Sequence, residues 1–166
     1  MTGVLDDYMV DPNISMLDKT RIQAQVLLPV IRALRTEFGK DKADTIVRQA
    51  LRDWSRELFA AIGEDIEGSP RRKWAILHTA LSEVTEREVD VQMLRQDKEG
   101  LDFDVTSCRF AEFFRALGEP ELGALLICAT DFDIVAAGGG AVSLQRAQTL
   151  MQGAASCTFR YKFAPR

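Results

Sequence analysis

The sequence predicts an α+β fold, with N-terminal helices packed on an antiparallel sheet of about four strands, the strands forming two hairpins separated by short helices. Three observations carry this reading. Apolar residues in the first half recur at helical spacing, those in the second half alternate at strand spacing in two separate stretches, and glycines or polar clusters punctuate the segments. The 166 residues amount to one domain's worth of chain. The expectation is a single domain over residues 1–166, with a helical half at 15–86 and a two-hairpin half at 87–163.

Ser15 can cap the first helix, with Asp18 near its third position. Ile22, Val26, Val30 and Leu34 recur every four residues, joined by Leu27, Ile31 and Phe38, and Gly39 supplies a stop. Pro29 should kink or divide this helix. A second helix begins near Asp41 with a stripe of Ile46, Val47, Ala50, Leu51, Trp54, Leu58 and Ile62, and ends at Gly63. Ser69 and Pro70 give an N-cap followed by proline at the first helical position. Trp74, Leu77, His78 and Leu81 then share one face of a third helix.

The period changes after that. Val89, Val91 and Met93 alternate with Asp90 and Gln92, residues 97–100 read as a turn, and Leu101, Phe103 and Val105 alternate with Asp102 and Asp104. This is a hairpin with one apolar and one acidic face. Short helical segments follow, holding Phe110, Phe113, Phe114 and Leu117, then Leu122, Leu125 and Leu126. Gly138-Gly139-Gly140 is a flexible break that no helix follows, which argues against a phosphate loop. The second hairpin is expected as a strand at 142–151, a turn at 152–156 and a return strand at 157–163.

Charge and composition narrow the function. A net charge of -4 and no basic stripe argue against nucleic acid as a partner. Arg71-Arg72-Lys73 opens a helix and reads as a solvated face. No apolar run approaches the roughly 18 residues that cross a bilayer. Residues 1–11 carry Asp6, Asp7 and Asp11 without Lys or Arg, the wrong charge for a secretory or mitochondrial leader. Three cysteines cannot all pair with one another, and these features together predict a reducing, cytoplasmic setting. The expected partner is a small-molecule substrate, with homo-oligomer formation left open and no cofactor expected.

The thiols are the first candidates for chemistry. Cys108 stands where a strand gives way to a helix that Thr106 or Ser107 can cap, so helix-end amides and Arg109 should favour its thiolate. Glu112, one turn on, could relay a proton; the bland alternative is a core cysteine on an amphipathic helix. Cys128 precedes Asp131 by three residues at what reads as a helix–loop junction, although a cysteine after Leu-Leu-Ile is also a core pattern. Cys157 shares a strand face with Phe159, Tyr161 and Phe163, again consistent with core.

On the preceding strand, strict alternation puts Arg146 and Gln148 on the face of Val142 and Leu144. Unpaired buried polar groups cost about 1–3 kcal/mol each, so these two need partners, which a substrate carboxylate, a bulge or a sheet edge would provide. His78 is the lone histidine, to be read either as a packed ring or as a base.

The order of these blocks adds more. Residues 104–114 (DVTSCRFAEFF) and 117–122 (LGEPEL), then Cys128-Ala129-Thr130-Asp131, residues 144–149 (LQRAQT) and 153–161 (GAASCTFRY), resemble the L-2-amino-thiazoline-4-carboxylate hydrolase family over roughly residues 85–163. That resemblance implies hydrolytic opening of a cyclic amidine-like thiazoline acid to an N-carbamoyl amino acid. The roles it implies are Cys108 or Cys157 as nucleophile and Asp131 or Glu112 handling protons. Arg146 or Arg160 would hold the substrate carboxylate, and Gln148 or Thr149 would orient the ring. The chain has Thr158 where the resemblance leads one to expect an acid. The closing hairpin is also similar to V4R-type ligand-sensing domains, which implies a rival, non-catalytic reading in which Cys108, Cys128 and Cys157 hold a metal.

Overall fold

A computed structural model describes residues 13–136 and 139–165. Residues 1–11 and Gly138, on which two of the expectations above rest, lie outside the described residues. The elements run α1 (Met16–Phe38), α2 (Lys40–Glu64), α3 (Pro70–Thr85), β1 (Val89–Gln96), β2 (Gly100–Cys108), α4 (Arg109–Ala116) and α5 (Pro120–Gly123). A π-helical turn (Ala124–Cys128), α6 (Thr130–Ala136), β3 (Val142–Gln145), a 3-10 turn (Leu150–Gln152) and β4 (Cys157–Phe163) complete the order. The strands form one antiparallel sheet in the order β1-β2-β4-β3, so the architecture is the α+β arrangement the sequence predicts.

Local chemistry explains several boundaries. The Ser15 hydroxyl accepts from the Asp18 N–H at 3.0 Å, and Ser69 caps α3 through the Arg72 N–H with Pro70 in the first turn. Gly39, at φ 79°, ends α1 and leads straight into α2, a backbone geometry that glycine adopts without a Cβ clash. In the β1–β2 turn the Asp97 carboxylate accepts from the Glu99 and Gly100 N–H groups. These contacts and the Arg95 guanidinium hold its carboxyl well below the usual range.

Five expectations need correction. Pro29 does not divide α1, which runs through it unbroken. The buried face of α1 is Leu17, Ala24, Leu28 and Ile31, while Ile22, Val26 and Val30 are half exposed or more. A strict four-residue repeat drifts by about 40° per turn, so it leaves the contact line that the buried 7-4-3 spacing keeps. In α2 the buried positions are the small Ala43, Ser55 and Gly63, and Ile46 and Trp54 face solvent. Small side chains let neighbouring elements approach, and that outranks bulk in deciding which face docks. Likewise β1 is an edge strand, paired only to β2 among the described residues, with Val91 and Met93 half exposed. Finally, the strand expected at 142–151 stops at Gln145, and residues 146–149 leave the sheet.

Two apolar clusters meet at one seam. The first gathers Trp74 of α3, Leu101, Phe103 and Val105 of β2, Ile134 of α6 and Tyr161 of β4. The second gathers Ala24, Leu28 and Ile31 of α1 with Phe114, Leu122 and Met151. Cys108 and Leu150 pack against both clusters. Gly123 closes the second: a Cβ placed there would lie 2.5 Å from the Met151 sulfur and 2.7 Å from the Phe114 Cβ. Only glycine lets α5 and the 3-10 turn come together at this point.

Candidate active site

Beside that seam opens a cleft of about 320 Å³, at the small end of what small-molecule sites occupy. Its walls come from both halves of the chain. Helix α2 contributes Arg48 and Arg52, the π-helical turn and α6 contribute Cys128 and Phe132, and the segment leaving β3 contributes Arg146 and Thr149.

Arg146 organises the sheet side. Because the chain leaves the strand after Gln145, the guanidinium turns across to α6, where Nη1 donates to the Asp131 carboxylate and Nη2 to the Cys128 carbonyl at 2.8 Å. Phe132 and Phe159 sandwich it, with ring centroids 4.9 and 5.3 Å from its central carbon. Only 7% of the side chain is exposed, and its Nε is buried without a partner. Thr158, at the position where an acid was expected, accepts a hydrogen bond from the Ala147 N–H at 3.2 Å and so holds the segment that carries Arg146.

Burial in this setting pushes the Asp131 carboxyl up to about 6, against the opposing pull of Arg146. About a quarter of its side chain remains exposed. Two residues on, Asp133 is almost fully buried and receives a 2.6 Å bond from Arg48 Nη2, which also donates to the Ala129 carbonyl at 3.2 Å. Arg48 Nη1 is buried without a partner.

The Asp131 charge acts on all three thiols and raises the pKa of each, so they lie in its electrostatic neighbourhood. Their state corrects the expectation for Cys108. It does cap α4, accepting from the Ala111 N–H at 3.4 Å, but burial outweighs the helix-end amides and pushes its pKa up. Arg109 gives no help, because it turns away to pair with the buried Glu88 at 3.2 Å. Cys157 accepts from the Leu150 N–H at 3.1 Å, and burial raises its pKa as well. Cys128 is pushed up to about 12, first by burial and then by the Asp131 charge. Near neutral pH all three are thiols, and of them Cys128 lines the cleft.

Other candidates fall elsewhere. Glu112 is exposed on α4. Gln148 is exposed and donates to the Ser156 carbonyl and hydroxyl, because the strand that would have placed it beside Arg146 has already ended. Arg160 is spent on the Phe103 and Phe159 carbonyls and on Asp104 at 2.7 Å. Thr149 is buried at the cleft, where its hydroxyl caps the 3-10 turn by accepting from the Gln152 N–H. His78 packs 4.9 Å from Trp74 and 5.3 Å from Tyr161, and burial lowers its pKa, which keeps it neutral. Among the described residues no three His, Cys, Asp or Glu side chains are grouped as metal ligands.

A family model for L-2-amino-thiazoline-4-carboxylic acid hydrolase matches residues 19–161. The chain belongs to that family. The match takes in α1, α2 and α3 as well as the sheet, well beyond the 85–163 stretch whose motifs carry the resemblance, so both walls of the cleft lie inside the family's span. No curated protein matches the chain. Arg48 and Arg52 went unnoticed in the sequence because they interrupt no motif. The available signal was their four-residue spacing on the side of α2 marked by Ser55 and Gly63.

Proposed function

We propose that the protein hydrolyses a small cyclic amidine acid of the 2-amino-thiazoline-4-carboxylate kind, with water as the nucleophile and Asp131 as its base. The observation that carries this reading is a partly exposed carboxyl bonded to Arg146, which lines the cleft, its pKa raised to about 6, close to the value a general base needs at neutral pH. Arg146 fixes the orientation of that carboxyl through its own bond to it.

In the proposed reaction Asp131 takes a proton as water attacks the ring carbon between nitrogen and sulfur. The tetrahedral adduct collapses by breaking the carbon–sulfur bond, and the proton held by Asp131 passes to the departing sulfur. The second proton of the water moves from the new oxygen to the ring nitrogen, leaving an N-carbamoyl amino acid with a free thiol. Cys128 and Phe132 offer a weakly polar wall to the ring. Thiols held protonated by burial favour water over a cysteine as the attacking group, so Cys108 and Cys157 act here as packing residues.

The test is release of the free thiol from 2-amino-thiazoline-4-carboxylate, followed by mass spectrometry of the product. Wild-type protein should turn over, and Asp131→Asn should lose at least about a hundredfold in kcat, the low end of what a general base contributes. Cys108→Ser and Cys157→Ser should stay within about threefold of wild type. A tenfold loss in either serine variant, with Asp131→Asn active, would return the reaction to a thiol nucleophile.

A further inference from the structure

We infer that Arg52, backed by Arg48, is the receptor for the acid group of the ligand, so that selectivity for acids over neutral rings resides on helix α2. The inference rests on the cleft being the site proposed above, and it concerns residues that none of the motifs contain.

The arginines of the cleft are unequally satisfied. Both Nη groups of Arg146 are taken by Asp131 and Cys128, and one Nη of Arg48 by Asp133 and Ala129. Arg52 is half-buried on the cleft wall with no hydrogen-bond or ion-pair partner among the described residues. Its guanidinium presents a planar pair of donors suited to two carboxylate oxygens. In the same lining, Arg48 Nη1 and Arg146 Nε are buried donors without acceptors. An unsatisfied buried donor is unfavourable, and two such donors beside the unpaired, half-buried Arg52 favour an anionic acceptor in the cleft.

Charge balance gives the ligand's class. Arg48 pairs with Asp133 and Arg146 with Asp131, so of the three guanidiniums on the cleft wall that of Arg52 is the positive charge left to be met. A monocarboxylate meets it. A dianion such as a phosphate monoester would overshoot, and a neutral ring would leave Arg52 unpaired. A volume of about 320 Å³ fits a single five-membered ring bearing that acid.

Calorimetric titration of the full chain with L-thiazolidine-4-carboxylate, which lacks the reactive amidine, and with its neutral primary amide reads this directly. Wild-type protein should bind the acid at least about tenfold tighter than the amide. Arg52→Gln, which breaks no contact among the described residues, should bring the acid down to the affinity of the amide and leave amide binding within twofold. Arg48→Lys should lose acid affinity in the same sense where it folds. Acid binding unchanged in folded Arg52→Gln would overturn the inference, as would equal affinities of wild type for acid and amide, or no binding of the acid. Acid selectivity lost in Arg52→Gln, in a protein that does not open the aminothiazoline ring, would leave the receptor standing and remove the hydrolase reading. Turnover with an unchanged KM in Arg52→Gln would do the reverse.

Discussion

Arg146 and Arg48 grip the same joint from different halves of the chain. Arg146, leaving β3, takes the Cys128 carbonyl and Asp131; Arg48, on α2, takes the Ala129 carbonyl and Asp133. The two carbonyls are consecutive, and the two carboxylates lie two residues apart at the start of α6. The pairs nevertheless differ in what surrounds the acid. Asp133 is 5% exposed, whereas Asp131 keeps about a quarter of its exposure and has its pKa raised to about 6. One pair locks α2 onto α6; the other leaves its carboxyl partly open to solvent, which is why it is the one proposed as the base.

The comparison breaks first on a pair of isosteric substitutions. Asp131→Asn should abolish most turnover while keeping the fold, because the amide oxygen can still accept from Arg146. Asp133→Asn should do the opposite, losing on the order of 3 kcal/mol of stability because its carboxylate is almost fully buried and water cannot take its place at Arg48, as it can at the partly exposed Asp131 position. Urea unfolding and turnover measured on both proteins would separate the two roles. Equal stability losses in the two variants would show that both acids are structural.

The pH dependence sharpens it. A folded-state pKa raised from 3.8 to about 6 means the wild-type carboxyl stabilises the fold most fully below pH 3.8, and that contribution is lost as pH rises through about 6. Asp131→Asn does not titrate there, so its stability relative to wild type should improve between pH 4 and pH 7. Activity should run the other way, with kcat/KM rising through about pH 6 as the base ionises. The groups facing Asp131 are the Arg146 guanidinium, the Asp133 carboxyl, and the thiols and Tyr161, whose pKa values burial raises and which stay protonated across this window. A kcat/KM profile that is flat from pH 5 to pH 8 would remove Asp131 from the chemistry.

How legible this was in the sequence depends on how far each contact reaches. The caps at Ser15 and Ser69, the stop at Gly39, the Asp97 turn and the alternation of Leu101, Phe103 and Val105 are set within a few residues, and the structure keeps them. Cys128 and Asp131, three apart, were likewise readable as neighbours. What was lost depends on partners far along the chain. The docking face of α2 follows from Ala43 and Ser55 fitting against other elements, and Arg48 meets Asp133 across 85 residues. Arg146 was singled out for the right reason, a buried charge needing a partner. Its partner proved to be α6, reached because the strand ends just before it. The Cys108 thiolate failed as an expectation because helix-end amides are visible in a sequence and burial is not.

Packing that serves only to bring the cleft walls together should give smaller, purely structural effects. Gly123→Ala would set a methyl group against the Met151 sulfur and the Phe114 Cβ, and overpacking of this kind costs about 1–3 kcal/mol. Met151 belongs to the 3-10 turn that Thr149 caps, and Thr149 lines the cleft, so displacing Met151 should also reach the ligand site. Thr149→Ala, which removes the cap alone, should cost about 1 kcal/mol. Calorimetric melting of the two variants should rank them in that order, with KM for the ring acid rising in both and kcat falling less than in Asp131→Asn. A Gly123→Ala protein as stable as wild type would mean that the 3-10 turn moves freely relative to α5, and the cleft would then lack the fixed wall on which the acid receptor depends.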